Sequence, residues 1–394
     1  MSQTLVAPKT YTLQFWLLCT SSLLFFASFN MIIPELPSFL TSLGGGEYKG
    51  LIISLFTVTA MLSRPFSGKL ADKIGRVPVM MIGATVSFIC SAIYPILSTV
   101  IGFFLLRLVH GFSTGFTPTG QAAYLSDIIP PQKRGEAMGY IGTAGTVGMA
   151  AGPAIGGALA SSFSINVMFY CSSLFAFSAI GILIGIRETL SEKKKFSPGM
   201  LKVKKEDLFE PRVIMPCVVM GLCAYSFGAV YTVIPDFGEF VGITNKGLLF
   251  TYFTMASLLV RLIGGKASDY YGRAPVLKLS TLLIIAAMIT VGFATTKFML
   301  LTGMVIYGLA HGITSPTLLA WATDLSDINH KGRGMSSLYV FMEFGIGVGA
   351  FASGIIYGNS SANFKATFFT GAFLAGIAFL YLMTRNMLDK PQYD

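Results

Sequence analysis

Long apolar runs broken by short charged clusters set the pattern of the chain. Each run is continuous rather than alternating, and each is close to the 20 or so residues that a helix needs to cross a bilayer. Spans are predicted at 13–36, 50–68, 78–97, 99–122, 136–159 and 164–186, then at 213–235, 247–266, 276–295, 298–322, 334–357 and 365–385. The expectation is an all-α membrane protein of about twelve helices in two sets of six. Strands of a membrane barrel would instead show short alternating segments.

The charged cluster between the second and third spans repeats. Residues 64–76 place Arg64, Gly68, Asp72, Gly75 and Arg76 where residues 261–273 place Arg261, Gly265, Asp269, Gly272 and Arg273, a displacement of 197 positions throughout. Charge wedged between two membrane-grade runs reads as a tight interfacial turn. A second pair of similar stretches, Leu108-Val109-His110-Gly111 and Leu309-Ala310-His311-Gly312, leads into Leu125-Ser126-Asp127 and Leu325-Ser326-Asp327, making spans four and ten counterparts. The chain divides into a six-helix bundle at 1–186, a polar connector at 187–212 and a second bundle at 213–394.

Composition supports this picture, with 53% hydrophobic and 12% charged residues. With a cytoplasmic N-terminus, one face receives most cations, among them Lys69, Lys73, Arg76, Lys193, Lys194, Lys195, Arg273 and Lys278, while the other receives Lys49, Lys246, Lys297 and Lys365. The positive-inside rule then puts both termini in the cytoplasm. It also accounts for the net charge of +10 without a nucleic acid. The five cysteines fall inside spans, suggesting neither a disulfide framework nor a metal site. The first span is too long and too poorly flanked to be a cleavable signal. No GxxxxGK[ST] loop, HExxH or clustered Cys and His occurs, which argues against ATP as energy source and against a membrane-embedded enzyme, and no cofactor is expected.

The cluster at Gly68, Asp72, Gly75 and Arg76 resembles the loop signature of the major facilitator superfamily, and Arg107 with Gly111 and Gly115 is similar to that family's fourth-helix motif. The run containing Gly148, Gly152, Pro153, Gly156 and Gly157 resembles the fifth-helix motif of its exporter, or antiporter, branch, although the eleventh span has no Gly-Pro pair. The resemblance implies a monomeric, inner-membrane secondary transporter that moves a small amphiphilic compound outward in exchange for protons, with an importer or facilitator as the alternative. It further implies a cytoplasmic gate in which Asp72 meets the start of the eleventh helix and Arg76 pairs with Asp127, repeated at Asp269, Arg273 and Asp327.

Physical chemistry adds candidates. Gly148, Gly152 and Gly156 share one helix face and admit a close neighbour, either as a fixed helix pair or as a moving seam, and Pro153 removes a helix bond. Ionisable groups at hydrocarbon depth are costly and mark function by default, which nominates Arg107, His110, His311 and Glu343 for the substrate and proton pathway. Glu35 and Asp236 read as interfacial. Phe26, Asn30, Phe112, Tyr225 and Tyr231 are candidate cavity walls. Depth counting places Arg64 and Glu343 each about 12 Å inward of the gate, where they would pair across the halves with the cytoplasmic side closed and separate when it opens.

Overall fold

In lipid a backbone must bond to itself, so apolar runs of this length become helices. The computed structural model describes residues 11–130, 134–190, 192–201, 209–326 and 331–384. In the first half the helices are α1 Leu13–Ile32, α2 Leu36–Ser42, α3 Lys49–Ile74, α4 Arg76–Ile93, α5 Val100–Ile128, α6 Arg134–Ser162 and α7 Ile165–Ile184. The second half holds α8 Ile214–Phe240, α9 Gly247–Tyr271, α10 Arg273–Gly292, α11 Lys297–Leu325, α12 Lys331–Tyr357 and α13 Phe364–Thr384. A 3-10 turn at Ile33–Glu35 carries α1 into α2, so the first span continues past its two prolines to Ser42. Twelve long helical rods result among the described residues. Ten are long and apolar enough to cross a membrane by length and composition; α9 offers a shorter apolar stretch, Gly247–Arg261, and α6 is rich in glycine and alanine.

The expected interfacial turn at residues 64–76 is mostly helix. Pro65 deletes a single backbone bond, and α3 runs through it to Ile74, leaving Gly75 at φ 120° as the turn. Gly272 does the same between α9 and α10 at φ 90°. A Cβ is strained in that left-handed region, so glycine is required. Glu188, just beyond α7, accepts from the amides of Arg76 at 3.1 Å and Val77 at 3.0 Å, which caps the first turn of α4. Thr189 donates to Asp127 at 2.6 Å, and Lys194 donates its amide to the Lys73 carbonyl at 2.8 Å. This strap ties the start of the connector to the first half.

Within each half the closest helix pairs are glycine-mediated. Gly148, Gly152 and Gly156 of α6 lie against the backbone of α1 at Leu23, Ala27 and Met31, and Gly345 and Gly349 of α12 lie against α8 at Gly221 and Tyr225. The small-residue face of α6 is therefore an internal weld of the first half. The seam between halves is formed by α3 on α12 and by α6 on α9. There Thr251 donates to the Ala150 carbonyl at 2.7 Å, Gly247 sits against Pro153, and Gly157 sits against Asn245.

A Cβ at Gly152 would stand 2.5 Å from the Ala27 carbonyl oxygen, whereas Gly142 has nothing within 4 Å. Gly152→Val is expected to cost about 1–3 kcal/mol through overpacking, lowering the melting temperature of the purified protein, while Gly142→Ala leaves it unchanged. Equal melting of the two variants would contradict the weld.

Candidate functional site

Packing two bundles along two helix pairs leaves a central space. A cavity of about 980 Å³ lies between the halves, walled by α1, α3, α5 and α6 on one side and α8, α10, α11 and α12 on the other. It extends to Lys69, Asp72, Ala122, Met335 and Ser336 at the end bearing the charged hairpins. The opposite end is held shut by bonds between halves. Lys49 of α3 is ion-paired with Asp236 of α8, and Lys246, which pairs with Glu239 of its own half at 2.7 Å, donates across to Ser38 at 2.7 Å. Asn359 donates to the Gly46 carbonyl at 2.6 Å. Asp236 is thus part of a closure rather than an exposed interfacial acid, and Glu35 is buried.

Several nominated residues face the cavity. Phe26, Asn30, Tyr231, His311 and Glu343 line it, together with Phe29, Phe56, Thr57, Phe227 and Tyr339. Tyr231 donates to Asn30 Oδ1 at 3.5 Å, and Asn30 Nδ2 donates to the Phe26 carbonyl at 2.8 Å. The His311 ring stacks on Phe227 with centroids 5.2 Å apart. Aromatic faces around a few fixed polar groups suit a flat amphiphile.

Four nominated residues do not line it. Arg107 is fully buried inside the first half, its Nε donating to the Ile52 carbonyl at 2.8 Å, its Nη1 to the Tyr94 hydroxyl at 3.2 Å, and its guanidinium 4.6 Å from the Phe56 ring centre. His110 sits between Ser87 and Tyr94, each at 3.4 Å. The rings of Phe29 and Phe56, which do line the cavity, touch His110 from its side. Depth nominates both residues, and Arg107 also by its motif, but their hydrogen-bond partners lie within one bundle. Phe112 is 41% exposed on the outer surface, and Tyr225 packs against Gly349 of α12.

The matching of His311 with His110 also fails. Gly111 packs against Phe56 and Gly308 against Phe253, while Gly115 packs against Ala60 and Gly312 against Ser257, so α5 and α11 correspond at the same displacement of 197 as the hairpins. Tyr307 is the counterpart of His110, and His311 that of Thr114. The acid at the hairpins follows suit. Arg76 bonds Asp72 at 2.8 Å and Asp127 at 3.1 Å; Arg273 bonds Asp269 and, at 2.9 Å, Asp324. Asp327 lies outside the described residues. Carrying the constant displacement through from Asp127 would have found Asp324. Asp72 borders the cavity mouth with its side chain 71% exposed, its ion pair being with Arg76 rather than with α12.

Arg64 and Glu343 do meet across the halves. Arg64 Nη2 donates to Glu343 Oε1 at 2.6 Å, with side chains 13% and 7% exposed, and the guanidinium lies 4.8 Å from the Tyr339 ring centre. The timing differs from the sequence expectation, because the bond is made while the hairpin end is open. Beyond that depth, toward the closed end, Gly50 and Gly354 bring α3 and α12 into backbone contact.

Breaking a buried pair strands the remaining charge, at about 3 kcal/mol. Arg64→Glu and Glu343→Arg are each expected to lower the melting temperature of the purified protein, and the double swap to regain most of the loss. Cysteines at 64 and 343 should cross-link. A swap that recovers nothing, with no cross-link, would remove the bridge.

Comparison with known proteins agrees with this architecture. The sequence profile of the Major Facilitator Superfamily matches residues 18–246 and 241–392. The chain is 26% identical over 344 residues to Multidrug resistance protein 2 of Bacillus subtilis (strain 168), covering 82% of this chain and 84% of that protein. It is also 26% identical over 344 residues to the multi-drug resistance efflux pump PmrA of Streptococcus pneumoniae serotype 4, covering 84% and 86%. Among solved structures, a D-xylose-proton symporter superposes with a TM-score of 0.78 at 15% identity, over 93% of this chain and 96% of that one. The nucleoside transporter NupG superposes at 0.74 with 16% identity, over 96% and 100%. With a duplicated charged hairpin, two six-helix bundles and a cavity between them, the chain is a multi-pass membrane protein that belongs to the Major Facilitator Superfamily.

Proposed function

We propose that the protein exports small amphiphilic compounds across the cell membrane in exchange for protons, by alternating access. The carrying observation is the aromatic cavity of about 980 Å³, open at one end and closed at the other by an ion pair and hydrogen bonds between halves. The names of its relatives, a multidrug resistance protein and a multidrug efflux pump, point the same way. In this reading residues 1–186 and 213–394 are the moving bodies of a monomer, and 187–212 is their connector. The cation-rich hairpin end is cytoplasmic by the positive-inside rule, which makes the described arrangement cytoplasm-open and puts both termini on that side. Protons would pass through groups that face the cavity, His311 and Glu343, rather than through Arg107 and His110.

Everted membrane vesicles test the direction. With an imposed gradient, acid inside, they are expected to accumulate an amphiphilic dye, and dissipating the gradient should abolish uptake. Gradient-driven uptake by right-side-out vesicles instead would establish import.

The outer closure supplies a second test. Lys49 and Asp236 are both largely buried, so Asp236→Asn leaves a cation without its partner and weakens the closed outer end. In a Cys223→Ser background, a cysteine at cavity position Thr57 should then label several-fold faster with an impermeant maleimide applied from outside. Unchanged labelling would show that the ion pair does not hold that end.

A further inference from the structure

Two arginines occupy equivalent places on the seam. Arg64 on α3 faces α12, and Arg261 on α9, 197 positions on, faces α6. Their partners are also 197 apart but chemically unlike. Arg64 bonds the carboxylate of Glu343, whereas Arg261 Nη1 donates to the hydroxyl of Thr146 at 3.1 Å. Among the described residues no carboxylate pairs with Arg261.

Charge counting sharpens the contrast. Of the two carboxylates that line the cavity, Glu343 is taken by Arg64 and Asp72 by Arg76, so neither is left to neutralise Arg261. Arg261 is not itself part of the cavity lining but lies within electrostatic reach of Tyr339 and His311, which are. Met149, one helical turn along α6 from Thr146, lines it as well. A hydroxyl leaves the full positive charge in place, and an uncompensated charge at this depth is costly. A guanidinium also has five donors arranged to grip a planar acid by two of them.

We propose that Arg261 is the docking point for an acidic group on the cargo, so that the exported amphiphiles are carboxylates or sulfonates. This rests on the export reading given above. The cargo acid then fills the place that Glu343 fills beside Arg64, and the aromatic wall takes the apolar body.

Three naphthalene probes that differ in one substituent, an acetate, the corresponding acetamide and a trimethylammonium, separate the possibilities by equilibrium dialysis against the purified protein in lipid nanodiscs. Wild type is expected to bind the acetate about ten-fold more tightly than the acetamide, the scale of one charge-assisted hydrogen bond. Arg261→Gln should reduce that preference to within about two-fold while leaving acetamide binding intact. Thr146→Glu should do the same by supplying the missing acid from within, and it guards against misfolding because it recreates the pairing of Arg64 with Glu343. Persistence of the preference in both variants, or equally tight binding of the ammonium or the acetamide by wild type, would overturn the proposal. Transport separates it from the export reading. Thr146→Glu is expected to pump the acetamide but not the acetate into everted vesicles, and failure of wild type to pump any of the three would count against export itself.

Discussion

A charge held at hydrocarbon depth must find its compensation inside the protein, because neither lipid nor bulk water supplies it. The arginines of this chain show three solutions. Arg107 is held by a backbone carbonyl, a tyrosine hydroxyl and an aromatic face within a single bundle. Arg64 takes its counter-charge from the other half. Arg261 has a neutral partner. The first arrangement makes one half rigid, the second joins the halves, and the third leaves local charge for something else to balance. Lys49 applies the second solution at the closed end, reaching Asp236 near the end of α8, while Lys246 takes its acid, Glu239, from its own half.

The helices and the duplication were plain in the sequence, since membrane spans need long apolar runs and charged hairpins survive only at their ends. Side-chain direction was much less so. A helix surrounded by lipid and by other apolar helices carries little amphipathic signal, so Phe112 and Phe26 look alike in the sequence although one faces outward and the other the cavity. Proline and charge also misled at residues 64–76, where α3 simply runs on. Register was the subtler lesson. Two short stretches containing His-Gly suggested one displacement for α5 and α11, while the hairpins indicated 197. The close backbone contacts at Gly111, Gly308, Gly115 and Gly312 decide for the hairpins. Backbone approach tolerates no slip, whereas a local run of similar residues can arise without any structural equivalence.

The two kinds of helix contact divide the work. Inside each half, backbone meets backbone at glycine, and a shift of even one ångström would be resisted by hard contact. Along α6 and α9 the halves also meet backbone to backbone, Gly247 against Pro153, and add single bonds such as that from Thr251 to Ala150, which cost far less to exchange. The strap through Glu188 anchors the connector on the hairpin of the first half, so only its later portion is left to span toward α8.

The bond between Arg64 and Glu343 has a mechanical meaning that its position alone does not give. It joins through one nitrogen and one oxygen rather than through the parallel fork that fixes orientation. A single-point joint tolerates rotation. Because it is made while the hairpin end is open, closing that end need not break it. In the export cycle proposed above the pair would serve as an axle about which the two halves swing, with the cationic stack on Tyr339 as the bearing beside its charged head.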